Sequence, residues 1–398
     1  MISGQWSEAE IATVHRPLAT GHWPLLMLLT ADEPAVACAV EAITDMDAFV
    51  RLECEWNDAV ERAGVTHPFL HHEWLRTWWE CFGAGHRLHI LIVRSGARIV
   101  AIAPLMAETA RMCGLRVRRL RLMHNDHTPR ADFIVAEQAD AAYHAIWAAL
   151  MDERDRWDVL QLGQLPAASR TRDVLSALAA ESGCTTGIWQ SGDAPYLALS
   201  GTWDEYFGRL SGKFRQNVRN RTSRLHRIGE PTLEVVDGGA ALSAALDDAI
   251  RLEASGWKRN EGTAISSESA LGRFYTVFAA RAAAQGWLKL LFLTVNGRRI
   301  ATSYSLEYQR RLFLCKTGYD PQFETCSPFK VLTSMAIRKA FEQGLDEVDL
   351  LGDVEPWKLE WTSTARSHEW LFVFSATSRA RLVYPLKFQL APALRAGV

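Results

Sequence analysis

The sequence predicts an α/β protein of two consecutive domains, on three observations. Its 398 residues are about twice the usual length of one domain. Apolar residues make up 48% and charged residues 23%, a balance that can bury a full core. One succession of elements (helix, helix, hairpin, strand, helix, strand, helix, strand) is readable twice along the chain.

In the first half, residues 36–43 read as a strand. Thr44-Asp-Met-Asp47 then offers N-cap chemistry for a helix over 47–63 that Gly64 ends. A helix over 73–82 carries Trp74 and Trp78 at i,i+4 spacing, which marks a core face. Two β-rich runs flank Ser95-Gly96-Ala97 as a hairpin. Strands near 117–123, 132–135, 157–162 and 185–189 and helices over 143–154 and 172–182 follow. In the second half a single long helix is expected over 203–228, ended by Gly229 and Pro231. A strand over 232–236 and helices over 240–258 and 269–285 come next. Asn296-Gly297 joins two strands by the strongest short hairpin signal. A strand over 311–316 precedes a helix over 327–343, with Ser327 as N-cap, Pro328 at N1 and Gly344 at the C-cap. The last strands fall at 347–351 and 369–374, and the split between halves falls near Asp193-Ala-Pro195.

Several function classes are disfavoured. The apolar run from Trp23 to Leu29 is too short to span a bilayer, and Glu8 and Glu10 precede it. No signal peptide or membrane span is read, which predicts a cytoplasmic protein. Seven cysteines are dispersed without a C-x-x-C pair, the pattern of a reducing compartment, and no Cys/His spacing suits zinc. The net charge of −2 argues against a nucleic-acid footprint. Only eight of the 44 cations are Lys, all at or after Lys213. Two basic stretches stand out, Arg111–Arg121 and Lys213–Arg227. Each is either a solvated face or an attraction for an anion: a CoA-type phosphate, a lipid headgroup or a lipid- or nucleotide-linked acceptor.

A series of short motifs carries a family resemblance. The first half holds Pro68-Phe-Leu-His-His-Glu-Trp-Leu-Arg-Thr-Trp-Trp79 and the hairpin ending Ala101-Ile-Ala-Pro-Leu105. The second runs through Lys213-Phe-Arg-Gln-Asn-Val-Arg-Asn-Arg221, Glu253-Ala-Ser-Gly-Trp-Lys258, Gly262-Thr-Ala-Ile265, Ile300-Ala301, Lys316-Thr-Gly-Tyr-Asp-Pro321, Ser327-Pro328, Asp349 and Trp357-Lys358-x-x-Trp361. Over residues 36–376 the chain resembles the CelD/BcsL-like (BioF2-like) acetyltransferases of the GNAT superfamily, relatives of Fem-type double-GNAT transferases and bacterial ceramide synthases. The resemblance implies tandem GNAT-like (acyl-CoA N-acyltransferase) domains, with mixed, mostly antiparallel sheets flanked by helices. They divide as 1–195 and 196–398, and the second carries the acyl-donor site. It implies no permanently bound cofactor, acyl-CoA (acetyl-CoA or longer) as co-substrate and a lipid- or glycan-type acceptor, while the two basic stretches predict peripheral contact with an anionic membrane. The alternatives are a Fem-like aminoacyl transferase and a catalytically silent scaffold. There is one departure. GNAT domains usually bind the CoA pyrophosphate on a glycine-containing loop, and here that stretch reads Phe323-Glu-Thr-Cys-Ser-Pro-Phe-Lys330.

Acyl transfer needs an activated amine or hydroxyl, stabilisation of oxyanion charge and a proton for the leaving thiolate. The catalytic candidates are Glu253, Lys258, Asp320 and Lys358. Glu253 is either a general base or a partner for a cation on its own helix. Asp320 sits at a strand exit, where α/β sites gather, but Asp before Pro also makes turns. Lys358 either holds a phosphate or carboxylate or snorkels at the surface. The donor-binding candidates are Lys316, Ser327, Phe329 and Lys330, around a helix start with unsatisfied N–H groups. No metal ligand is assigned. His124-Asn-Asp-His127 in the first half is read as a loop of capped, solvated histidines in preference to a catalytic base.

Overall fold

The computed structural model describes residues 38–255 and 269–390. The apolar run at Trp23, the candidate Lys258 and Gly262–Ile265 lie outside the described residues. The first half comprises β1 (Cys38–Ile43), α1 (Met46–Arg51), α2 (Glu53–Arg62), α3 (His72–Phe82), β2 (Arg87–Ser95), β3 (Arg98–Met112), β4 (Leu115–Leu122), β5 (Ile134–Val135), α4 (Ala139–Asp152), β6 (Val159–Pro166), α5 (Arg170–Glu181) and β7 (Thr185–Ala198). The second comprises α6 (Trp203–Arg209), α7 (Gly212–His226), β8 (Pro231–Val236), α8 (Leu242–Ser255), α9 (Ala270–Ala284), β9 (Leu288–Val295), β10 (Arg298–Tyr308), β11 (Arg311–Tyr319), α10 (Pro328–Glu342), β12 (Glu347–Asp349), α11 (Pro356–Leu359), β13 (Ala365–Phe374) and α12 (Ser378–Pro385).

Local chemistry sets several boundaries. Asp45 caps α1 by accepting from the Ala48 N–H at 2.8 Å. Asn296 and Gly297 both take left-handed φ, 52° and 74°, as a two-residue hairpin turn requires. The expected single helix over 203–228 is two helices. Leu210 and Ser211 are extended, with ψ of 156° and 141°. The Ser211 hydroxyl accepts from the Phe214 N–H at 3.2 Å, so a cap residue starts a second helix where periodicity alone suggests continuation. Ser327 also departs from expectation. It stands at the N-cap in the left-handed region, φ 47°, and its side chain makes no cap bond.

The strands form one thirteen-stranded sheet in the order β1-β2-β3-β4-β6-β13-β7-β12-β11-β10-β9-β8, with β5 beside β3. Two neighbouring pairs are parallel, and both match over three residues: Arg119–Arg121 on β4 with Val159–Gln161 on β6, and Arg311–Phe313 on β11 with Glu347–Asp349 on β12. The halves thus repeat one device. The last described strand, β13, returns to lie between β6 and β7. Strand β7 pairs with β13 over Thr185–Pro195 and with β12 over Tyr196–Ala198.

Apolar side chains sort by sheet face. One cluster combines α1–α3 with α8, α9 and the β9–β10 hairpin. A second packs α4 and α5 on the first half, and a third packs α7 and α10 on the second. Trp74 sits at the joint of the first cluster, 1% exposed, with its ring edge-on to Phe69 at 4.9 Å, Phe274 at 5.0 Å and Phe278 at 4.8 Å. Trp74→Ala should remove about 3–5 kcal/mol from urea-unfolding stability and lower the midpoint of both halves together. A loss confined to first-half probes would show that α3 and α9 do not couple the halves.

Candidate active site

The site begins where the short β11–β12 pairing ends. Beyond Phe313 and Asp349 the two strands diverge, and a cleft of about 430 Å³ opens between residues 314–319 and 350–352. A bulge deepens the divergence. Tyr304 on β10 stands opposite Lys316 and Ser305 opposite Leu314, so Cys315 is an extra residue in β11. Bulges of this kind re-aim the side chains that follow. Burial pushes the Cys315 thiol well above its usual range, so it is no thiolate nucleophile.

Glu253, 3% exposed, reaches the cleft from the last turn of α8. A Cβ at Gly318 would stand 2.4 Å from the Glu253 Cα, so helix and strand backbones touch here and only glycine fits. Lys316 also lines the cleft, with its Nζ 5.8 Å from the Tyr275 ring centroid. On the far wall Lys358, 4% exposed, donates to the carbonyls of Leu351 and Asp353, both at 2.7 Å, and lies 3.2 Å from Glu355. Burial lowers its pKa from the ordinary lysine value. These bonds make Lys358 the fastening of the 351–358 loop. Phe329, at the start of α10, lines the cleft edge-on to Trp357 at 5.0 Å.

Glu253, Lys358, Lys316 and Phe329 therefore share one cleft. Asp320, Ser327 and Lys330 are not among its lining residues. Asp320 caps the short turn 321–326, accepting from the Gln322 N–H at 3.0 Å, and pairs with Arg298. Lys330 pairs with Glu360 at 2.7 Å and lies over the Phe214 ring at 5.0 Å.

One contributor was not expected. The first-half loop 123–133 reaches Lys316, one of the cleft's lining residues, with His127 Nδ1 3.2 Å from Lys316 Nζ. Asn125 shapes this loop, its Oδ1 accepting from the His127 N–H at 3.1 Å. His124 is not the solvated histidine the sequence suggested. It is 2% exposed and packs over Gly163, where a Cβ would fall 2.6 Å from its Nε2. The one available signal was Gly163 itself, a glycine inside an otherwise bulky strand.

A second cavity, about 560 Å³, lies between this loop, the start of α5 and the starts of β11 and β13, with Asp132, Tyr143, Arg170, Arg311 and Arg366 in its walls. Burial raises the Asp132 pKa to about 6. A buried ion network separates the cavities. Asp349, wholly buried, is held by Arg130 and by Arg366 at 3.0 Å, and Arg366 also reaches Glu347 at 3.0 Å.

With that geometry in place, the comparisons define a class. Residues 212–359, which include the described lining of the cleft, match the family described as an acetyltransferase (GNAT) domain. Among solved structures, FemX is similar over 87% of this chain and 99% of its own, at 11% identity and a TM-score of 0.55. The C-terminal (DUF2156) domain of a candidate lysylphosphatidylglycerol synthetase from Agrobacterium fabrum is similar over 85% and 95%, at 13% identity and a TM-score of 0.50. No curated protein matches the chain in sequence. The fold is that of tandem GNAT-like α/β domains, with a large, mostly antiparallel sheet flanked by helices, and residues 212–359 resemble the acetyltransferase (GNAT) domain.

Two outcomes follow. Gly318→Ala must push α8 off β11, with an expected loss of about 1–3 kcal/mol by urea unfolding; unchanged stability would contradict the close approach. The second concerns acid. Burial holds His71 and His368 down to about 4 and His124 to about 3. The unfolded chain protonates these rings below about 6.5 while the folded one does not, so stability falls as pH drops from about 6.5 toward 4. Asp132 acts oppositely: its raised folded pKa favours the fold as pH falls through about 6. His124→Leu should therefore lose about 2–3 kcal/mol less than the parent between pH 7 and about pH 4.5, measured by urea unfolding at each pH. An equal loss would place His124 in contact with water.

Proposed function

We propose that the protein is a GNAT-type acyltransferase that binds an acyl-CoA thioester in the β11–β12 cleft and transfers the acyl group to an amine or hydroxyl of a cell-envelope polysaccharide or lipid precursor, a sphingoid amine among them. The observation that carries the reading is the opening of a paired sheet beside a buried carboxylate, Glu253, inside the segment that matches the GNAT family. The acceptor N–H or O–H attacks the thioester carbonyl. Its new bond to carbon forms as the C–S bond breaks, Glu253 takes the acceptor proton, and the CoA thiolate leaves and is protonated. Lys316, beside His127, supplies positive charge toward the developing oxyanion or the donor's phosphates. The envelope assignment draws on the fold likeness to FemX and to the Agrobacterium fabrum domain.

An aminoacyl donor is the second reading. It is favoured by the FemX likeness and by the engagement of Lys330 with Glu360, which draws a cation away from the usual pyrophosphate position. Calorimetry with acetyl-CoA, a long-chain acyl-CoA and free CoA separates the two. The acyl-CoA reading expects binding that Lys316→Ala weakens and Glu253→Gln leaves intact. Silence from all three ligands would reject it. With a panel of amine and hydroxyl acceptors, Glu253→Gln should slow CoA release about 10²–10⁴-fold. Near-parental turnover would make Glu253 structural.

A further inference from the structure

The sequence marks Arg111–Arg121 as one basic stretch, but the fold divides it. Arg118 turns inward to Asp158 at 2.8 Å, and Arg119 and Arg121 turn to Glu108. Arg111 and Arg116, at the tip of the β3–β4 hairpin, are exposed and have no carboxylate partner among the described residues. Beside that tip lies the end of the described chain. Met112 and Val117 of the hairpin pack in one cluster with Ala380 and Val383 of α12 and with Phe372 and Phe374 of β13. Phe388, just after α12, closes over Gly187 of β7, where a Cβ would meet its ring at 2.4 Å, and packs on Trp189 at 5.6 Å.

The rim of this cluster is apolar and basic. Leu115, Trp189, Leu382 and Leu390 are exposed by 38%, 38%, 61% and 53%. Arg379 and Arg381 stand on the outer side of α12. Arg381 has no carboxylate partner among the described residues, and Arg379 finds only Asp158, at 4.0 Å. Lys387 lies over the Trp189 ring at 3.4 Å. The three segments that build the face, 111–119, 185–190 and 376–390, contain no Asp or Glu.

We propose that this face, formed by the β3–β4 hairpin tip, the start of β7 and α12 with the turn after it, is a docking surface for an anionic lipid bilayer. Exposed Leu and Trp side chains ringed by Arg and Lys, with no acid between them, have the composition of an interfacial membrane contact. The apolar residues enter the headgroup boundary while the cations meet lipid phosphates, an attraction that salt screens. Nucleic acid would use the cations but leave four apolar side chains exposed. Among the described residues no helix is long and apolar enough to cross a membrane. The inference does not depend on which donor the cleft takes.

The test is co-sedimentation of the full chain with vesicles of phosphatidylcholine alone or mixed with phosphatidylglycerol, at low and high salt. Binding should require phosphatidylglycerol and weaken with salt. The double change Arg116→Glu and Arg381→Glu should weaken it by at least about tenfold. Leu382→Glu should weaken it with the cations intact, and Arg209→Glu with Arg227→Glu, on exposed positions elsewhere, should leave it unchanged. Circular dichroism and thermal melting of each variant confirm the fold. Equal binding to neutral vesicles, equal loss from the distant pair, or binding to an acidic protein or nucleic acid in place of vesicles would overturn the proposal. Thioester calorimetry on the same variants reads the cleft separately.

Discussion

The arrangement hangs on one buried carboxylate. Asp349 is wholly buried at the end of β12, where an ion without partners is strongly destabilising. Its partners come from distant parts of the chain, Arg130 from the first-half loop and Arg366 from the start of β13. Satisfying the charge draws loop 123–133 against the second half and lodges β13 beside β7. Asp349 also accepts from the Leu351 N–H at 2.9 Å, which helps hold Leu351 and Gly352 at left-handed φ of 50° and 58°. That turn is where the chain leaves the sheet and the cleft begins. Lys358 then fastens the loop by its bonds to Leu351 and Asp353. One buried charge thus ties loop 123–133, the start of β13 and the turn at the edge of the cleft to a single point.

What the sequence made legible was local or familial. Asn296-Gly297 specified its hairpin because the turn demands left-handed φ at both positions. The Trp74–Trp78 spacing marked a core face because helix periodicity is local. The motif series carried the tandem fold, and through it Glu253 and Lys358 reach one cleft. What stayed hidden were partners distant in sequence. Lys330 looked like a cation at a helix start, and nothing in its neighbourhood announced Glu360. Asp320 looked equally like a base or a turn residue, and its capping of the turn 321–326 appears only once Arg298 is beside it. His124 looked solvated because its neighbours are polar; the space for it comes from Gly163, on another strand. Leu210-Ser211 was passed over because a serine inside a periodic run becomes a cap only when its backbone leaves the helix.

The arginine-rich composition of the first half has two uses. Guanidinium groups that point inward secure carboxylates the sheet has buried, as Arg118 does for Asp158 and Arg130 for Asp349. Arginine suits this because it stays charged when desolvated and satisfies a carboxylate through several donors. Arg111 and Arg116 at the hairpin tip are exposed and have no carboxylate partner among the described residues. A linear count of charges merges the two populations; the carboxylates that the fold brings to Arg118, Arg119 and Arg121 separate them.

The internal repeat explains why the cleft opens in the second half. Both halves end a parallel pairing after three residues, so both open the sheet at equivalent places. In the first half the opening is filled. After β4 the chain stays on the sheet, with the Met123 N–H donating to Pro104 and the Ala131 N–H to Gln164. His124 occupies the space above Gly163, edge-on to Trp370 at 5.5 Å. In the second half the chain after β11 turns away at once through the capped turn at Pro321 into α10, and among the described residues the cleft over 314–319 is lined by Glu253, the aromatic pair Phe329–Trp357 and the loop tied by Lys358. The filled opening lends its loop to the open one, bringing His127 to Lys316. The loop of one copy thereby touches a lining residue of the other, and Asp349 holds that loop through Arg130.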